Sequence, residues 1–171
     1  MNIVNHSVKD MEIDLNRLRE AFISQLNGFY STKLYNSLFL SEIYTYATTD
    51  SLKLAITNLI DSGINELHEL RFILCDLDEV PVQSTIWSIE ALLLQRYLNL
   101  LKSCADRFEG DAGITFNLMI NDSMELTFIK LLNTMAKGLG YEYQALIEIK
   151  NNKSDSITLF EDIYNKQIGI C

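Results

Sequence analysis

The sequence predicts an all-α fold, an up-and-down four-helix bundle with an additional helical segment at its C-terminus. Apolar residues recur at helical spacing along most of the 171-residue chain, and breakers are scarce, with one proline, Pro81, and seven glycines. Long helices joined by short loops pack as antiparallel neighbours. A composition that is 48% hydrophobic and 22% charged is typical of a globular domain. We expect residues 1–10 to form a short polar arm and residues 11–171 a single bundle domain.

The first two helices follow directly from this periodicity. The apolar pattern begins at Met11 and continues to Tyr44, with Asn27-Gly28 as a candidate break. Thr48-Thr49-Asp50 then supplies polar residues suited to a turn and a helix N-cap. A second helix is predicted through Leu52 to Leu74.

The clearest interruption of the pattern is Asp76 to Pro81, and proline suits the first turn of a third helix. That helix is predicted to end near Phe108. Asp111 is the expected N-cap of a fourth helix, which ends at Lys137-Gly138-Leu139-Gly140, where a glycine can adopt the left-handed conformation. A weaker fifth segment is expected in two pieces, residues 141–149 and 157–165, separated by a polar stretch.

Charge and cysteine content exclude several classes of protein. The net charge of −9 and the absence of any Lys/Arg cluster argue against binding to nucleic acid or to an anionic membrane. No apolar stretch is long enough to span a bilayer and the N-terminus lacks a signal-peptide core, so we expect a cytoplasmic protein. Cys75, Cys104 and Cys171 form no Cys-x-x-Cys pair, and the first two are expected to be core thiols.

A di-iron centre in a helical bundle needs a Glu-x-x-His pair on each of two helices. The chain has two histidines, His6 and His68, and the residues three positions before them are Ile3 and Asn65. Glu-x-x-His is therefore absent, which argues against an ordinary di-iron site. We expect His68 to lie at the surface.

Two carboxylate pairs are spaced i, i+3, which places both members on one side of a helix. They are Glu66 with Glu69, and Asp122 with Glu125. For both pairs we expect a solvated helix face. The alternative is a degenerate metal site built from Asp61, Glu66, Asp122 and Glu125.

The first helix carries a dense group of aromatic residues, for which we expect contacts in the core and between helices. A ligand pocket or a dimer face is the alternative. The group comprises Phe29, Tyr30, Tyr35, Phe39, Tyr44 and Tyr46. No catalytic triad or glycine-rich phosphate loop can be assembled from the sequence.

Two segments resemble the YciE/YciF-like group of ferritin-like proteins: FYSTKLYNSL at residues 29–38 and MELTFIKLLNTMAKGLGY at residues 124–141. The similarity extends over about residues 20–165. It implies a ferritin-like four-helix bundle with a fifth helix, often paired as a dimer, and a carboxylate-rich metal centre in some members.

Transferring the group's metal ligands to this chain changes the chemistry of the site. The opening-helix glutamate falls on Lys33, a cation at a ligand position. The fourth-helix Glu-His-Tyr-Glu falls on Asp122 to Glu125, which keeps both carboxylates and loses the histidine. In the second helix, one family ligand falls on Asp61 or Ser62 and another on Glu66. The counterpart in the third helix is Gln95, and those in the fifth helix fall near Lys153 and Ser154.

These features favour a non-catalytic bundle without a cofactor, acting as a structural or interaction module, with a role in stress implied by the resemblance. Lys33 is then expected to pair with Asp122 or Glu125 and to replace the charge of the metal. We expect a homodimer. The alternative is an iron- or manganese-binding oxidase or peroxide-handling protein that uses the four carboxylates named above.

Overall fold

A computed structural model describes residues 14–82, 89–103 and 110–169. This part of the chain contains five α-helices and no strand: α1 Leu15–Ile43, α2 Asp50–Asp76, α3 Ile89–Ser103, α4 Gly110–Gly138 and α5 Gln144–Gln167, with a 3-10 turn at Tyr44–Tyr46. The predicted all-α bundle is confirmed. The arm predicted at residues 1–10 lies outside the described residues, as do Cys104 and Cys171.

Helices α1 and α5 are each continuous, so both predicted interruptions are wrong. Helix α1 runs through Gly28 without a break, because the buried Leu26 and Phe29 on either side hold the helix against the core. Helix α5 continues through its polar stretch because Lys153 and Ser156 bond to Asp122 of α4. Tertiary contacts thus outweigh the low local helix propensity.

Pro81 is not in a helical turn, so the prediction that it begins the third helix is also wrong. The neighbouring Val82 instead joins the loop to α1: its N–H donates to Asn27 Oδ1 at 2.9 Å, and its carbonyl accepts from Ser31 Oγ at 3.1 Å. The third helix was predicted to begin near Pro81, but residues 83–88 are not among the described residues. Cys75, expected in the core, is exposed.

Asp111 was predicted to be the N-cap of α4, but it lies inside the first turn of that helix. Its side chain instead binds the backbone just before α2. Its carboxylate accepts the backbone N–H groups of Thr48 at 2.8 Å and Thr49 at 2.7 Å, immediately before α2. Burial raises the pKa of Asp111, but the hydrogen bonds from Thr49 and Thr48 outweigh it and hold the pKa below its usual value. The side chain therefore fixes the loop between α1 and α2 to the start of α4.

Helices α2 and α4 end in the same way. Asp78 has φ 61° and Gly140 has φ 75°. In each case the next residue donates a backbone hydrogen bond back into the last turn, Glu79 to Leu74 and Tyr141 to Ala136, both at 2.9 Å. This is the Schellman arrangement. It confirms the predicted end of α4 at its glycines.

The buried apolar residues form two clusters, and a polar layer lies between them along the bundle axis. One cluster contains Ile43, Leu52, Ile114 and Phe160, from the ends of α1, α2, α4 and α5 that meet there. The other contains residues from the opposite ends of the same helices: Phe22, Ile73, Leu132 and Leu146. Helix α4 packs most extensively on α5, and α1 on α2. None of the described helices is both long enough and apolar enough to cross a membrane.

Candidate functional site

The polar layer consists of five ionisable side chains contributed by four helices. Lys33 comes from α1, Glu66 from α2, Asp122 and Glu125 from α4, and Lys153 from α5. None is more than 4% exposed. Charged groups are almost never buried so completely unless they are paired. Their mutual contacts therefore decide what the site can do.

Lys33 lies between carboxylates of two different helices. Its Nζ is 2.7 Å from Glu125 Oε2 and also forms an ion pair with Glu66 Oε2. The same Nζ is 5.7 Å from the centroid of the Phe29 ring, within the range of a cation–π contact. Of the two partners expected for Lys33, the structure pairs it with Glu125.

Lys153 contacts all three carboxylates. Its Nζ is 2.9 Å from Glu125 Oε2, 3.0 Å from Asp122 Oδ1 and 3.7 Å from Glu66 Oε1. Burial lowers the pKa of Lys153, but the attraction of Asp122, Glu125 and Glu66 outweighs burial and raises the pKa well above its usual value. The three carboxylates therefore favour the charged form of this side chain.

Glu125 is the most heavily bonded carboxylate of the layer. Its Oε2 receives both lysines, and its Oε1 accepts from Asn36 Nδ2 at 2.8 Å and from Asn121 Nδ2 at 3.3 Å. Burial raises the pKa of Glu125, but Lys153 and Lys33 lower it far more, so the net shift is strongly downward. Glu125 is therefore ionised throughout the physiological range.

Asp122 behaves in the opposite way. Its Oδ1 faces Lys153, and its Oδ2 accepts from Ser156 Oγ at 2.5 Å. Burial raises the pKa of Asp122; Lys153 opposes this rise and Glu125 adds to it, and the net shift is upward. Two lysines face three carboxylates, so the layer has one negative charge in excess, and a proton on Asp122 would neutralise it.

A small cavity lies beside these groups, with a volume of about 10 Å³ and with Lys33, Asn36, Asn121 and Asp122 among its lining residues. That is room for about one water molecule. Asn36 Oδ1 and Asn121 Oδ1 are buried and accept no hydrogen bond from the protein. In the described part of the chain, no three His, Cys, Asp or Glu side chains are placed to hold one metal ion.

The structure corrects the expected solvated faces. Glu66, Asp122 and Glu125 are buried and converge, whereas Asp61 and Glu69 are exposed. His68 is exposed, as expected. A degenerate site that included Asp61 is therefore not assembled.

A signal for this burial was present in the sequence. Glu66 is in phase with the buried Leu59 and Leu70 of α2, and Glu125 is in phase with Leu118 and Ile129 of α4. The burial of Lys153, the second cation of the layer, was not predicted. The resemblance only places a glutamate of the YciE/YciF-like group near this position. Lys153 lies in phase with Ile149 and Phe160 of α5.

Comparison with solved structures confirms the fold. The E. coli stress protein YciF matches with a TM-score of 0.76 and 13% identity, over 89% of this chain and 97% of that protein. YcfI, a putative structural protein from Rhodopseudomonas palustris, matches with a TM-score of 0.69 and 16% identity, over 94% and 98% of the two chains. No family model matches the chain, and no curated protein gives a significant sequence match. At these identities the similarity concerns the fold, and it agrees with the YciF-like bundle predicted from the sequence.

Proposed function

We propose that this chain is a non-catalytic ferritin-like bundle, a structural or interaction module in which two ammonium groups occupy the position of a metal centre. The observation that carries the proposal is that Nζ of Lys33 and Nζ of Lys153 both contact Glu66 and Glu125. A metal ion would need these same carboxylate oxygens as ligands. The resemblance to the YciE/YciF-like group assigns both lysine positions, or their immediate neighbours, to glutamates.

The chemistry of the layer supports a structural role. A lysine whose pKa is raised, as for Lys153, has no free electron pair with which to act as a base or nucleophile. A carboxylate whose pKa is strongly lowered, as for Glu125, is a poor proton acceptor near neutral pH. Both groups are buried, and the adjoining cavity is too small for a substrate larger than water.

The descriptions of the two structural neighbours, a stress protein and a putative structural protein, agree with this assignment and suggest a role under stress. A cytoplasmic location would keep the exposed Cys75 as a free thiol. The alternative function is an iron or manganese oxidase at Asp61, Glu66, Asp122 and Glu125. The exposure of Asp61 and the lysine contacts of the other three carboxylates weigh against it.

The test is metal content by mass spectrometry on protein purified without a metal-binding tag, before and after anaerobic incubation with ferrous iron. We expect less than about a tenth of an equivalent in both samples, because binding would have to displace two buried ammonium groups. We also expect the Lys33→Glu variant to be less stable than the wild type and to bind no iron. The substitution removes one of two cations and adds a fourth carboxylate to a layer that already has more carboxylates than cations. Lys166→Glu, exposed on α5, is the matched control.

Iron at about one to two equivalents in the wild-type protein, lost on replacing Asp122 or Glu125, would overturn the proposal in favour of the metal-dependent alternative.

A further inference from the structure

Two asparagine side chains in the polar layer are only half satisfied. Asn36 of α1 and Asn121 of α4 are 2% and 8% exposed. Their Nδ2 atoms both donate to Glu125 Oε1, at 2.8 Å and 3.3 Å. Their Oδ1 atoms are buried and accept no hydrogen bond from the described part of the chain. A buried carbonyl oxygen without a partner is unfavourable, so two of them in one layer indicate a donor that the described side chains do not supply.

The orientation of the two amides is fixed by charge. Turning either amide over would place its oxygen against the carboxylate of Glu125. Lys153 and Lys33 hold the pKa of Glu125 strongly down, so this carboxylate is ionised and accepts hydrogen bonds only. Exchanging the nitrogen and oxygen positions therefore cannot satisfy the two Oδ1 atoms, and the missing donor must come to them.

Both asparagines line the small cavity of the layer, with a volume of about 10 Å³. A space of this size holds one water molecule and nothing larger. Water donates two hydrogens, one for each Oδ1, and its oxygen can accept a third hydrogen bond. Lys33 also lines the cavity and can supply that bond, because its ammonium has three N–H groups and pairs with two carboxylates, Glu66 and Glu125. Buried waters typically make about three hydrogen bonds.

Gly63 keeps this space open. It lies in the middle of α2, is buried, and lines the same cavity. A Cβ atom at this position would meet no side chain and no backbone of another helix within 4 Å. Glycine is unfavourable inside a helix relative to alanine, and here packing gives no steric reason for it. A water molecule that needs the space of the missing methyl group supplies that reason.

We propose that the polar layer binds one internal water molecule, which donates to Asn36 Oδ1 and Asn121 Oδ1, and that Gly63 leaves room for it. The water links α1 to α4 and completes the hydrogen bonding of the layer. Lys33 and Lys153 both line the cavity, so a metal cation in the same place would be repelled by two ammonium groups. The site does not depend on the biological role proposed for the chain.

The first test compares two glycine-to-alanine variants by thermal unfolding. Gly28, inside α1, is the matched control for Gly63: a Cβ there also meets nothing within 4 Å, and Gly28 does not line the cavity. Gly28→Ala should raise the Tm by about 1–4 °C, because alanine favours the helix. Gly63→Ala should lower the Tm by about 2 °C or more, because the methyl group displaces the water and leaves both Oδ1 atoms unpaired. A Tm for Gly63→Ala at or above that of Gly28→Ala would overturn the proposal, since the added methyl group would then displace nothing.

The second test locates the water directly in high-resolution crystal structures of the wild-type protein and of both variants. In the wild type and in Gly28→Ala we expect one density peak at about 2.7–3.2 Å from each Oδ1. The peak should be missing in Gly63→Ala. A wild-type structure without this peak, or a peak that contacts neither Oδ1, would refute the proposed site.

The third test separates water from a monovalent cation. Replacing sodium chloride with choline chloride at the same concentration should leave the Tm of the wild-type protein unchanged, because water binding needs no small cation. A lower Tm in choline chloride, present in the wild type and absent in Gly63→Ala, would assign the cavity to a sodium ion and overturn the proposal.

Discussion

Replacing Lys153 with methionine removes one cation from the polar layer and keeps a side chain of similar length. The three carboxylates within 3.7 Å of its Nζ then have only Lys33 to balance them. Breaking a buried ion pair on one side costs about 3–5 kcal/mol, because the remaining charge is left unpaired in a medium of low dielectric constant. A domain has about 5–15 kcal/mol of stability in total, so we expect the variant to be near the limit of folding.

The assay is urea unfolding followed by circular dichroism, with the midpoint and slope compared to wild type. In thermal unfolding, a loss of about 3–5 kcal/mol lowers the Tm of a domain of this size by about 6–20 °C. Lys166→Met is the matched control, since Lys166 is exposed on the same helix, and it should change the stability by less than about 0.5 kcal/mol.

The pH dependence of this deficit separates lost charge pairing from lost packing. Lys153 lowers the pKa of Glu125 and opposes the rise in the pKa of Asp122, so both carboxyl groups should have higher pKa values in the variant than in the wild-type protein, and protonation should stabilise the folded variant as the pH falls. The deficit should therefore shrink as the pH falls from about 7 to about 5. A loss below about 1 kcal/mol at pH 7, or a deficit that is equal at both pH values, would refute the inferred role of Lys153.

Two further predictions concern Asp122 and Asp111. The pKa of Asp122 is raised in the folded protein, so its contribution to stability is present below its unfolded pKa of 3.8 and is lost as the pH rises through the folded value. Asp122→Asn, which mimics the protonated acid, should gain stability relative to wild type between about pH 4 and pH 7 in urea unfolding; a flat difference would contradict this. Asp111→Ala removes the acceptor of two backbone N–H groups and should cost about 1–2 kcal/mol by the same assay. Ser51→Ala, exposed in the first turn of α2, should cost much less, and equal losses would contradict the inferred contact.

Much of the fold could be predicted because helix periodicity is a local property. The repeat of apolar residues placed α1, α2 and α4 within a few residues of their observed bounds, and the glycines at 138 and 140 located the end of α4. The predicted interruptions of α1 and α5 failed for a shared reason. Gly28 and the polar stretch around Lys153 are poor helix formers by themselves, and contacts with other helices keep them helical.

The candidate site shows where local information ends. A carboxylate in phase with apolar neighbours, such as Glu66 or Glu125, is costly to bury alone, so one helix considered by itself favours a solvated face. The decision depends on a cation from a helix distant in sequence: Lys33 is 92 residues from Glu125, and Lys153 is 31 residues from Asp122. The sequence by itself determined a helical bundle, with a lysine at position 33, where the resemblance to the YciE/YciF-like group implies a glutamate. The tertiary structure decided that two lysines and three carboxylates lie in one buried layer, because only the packed bundle supplies each charge with its partner.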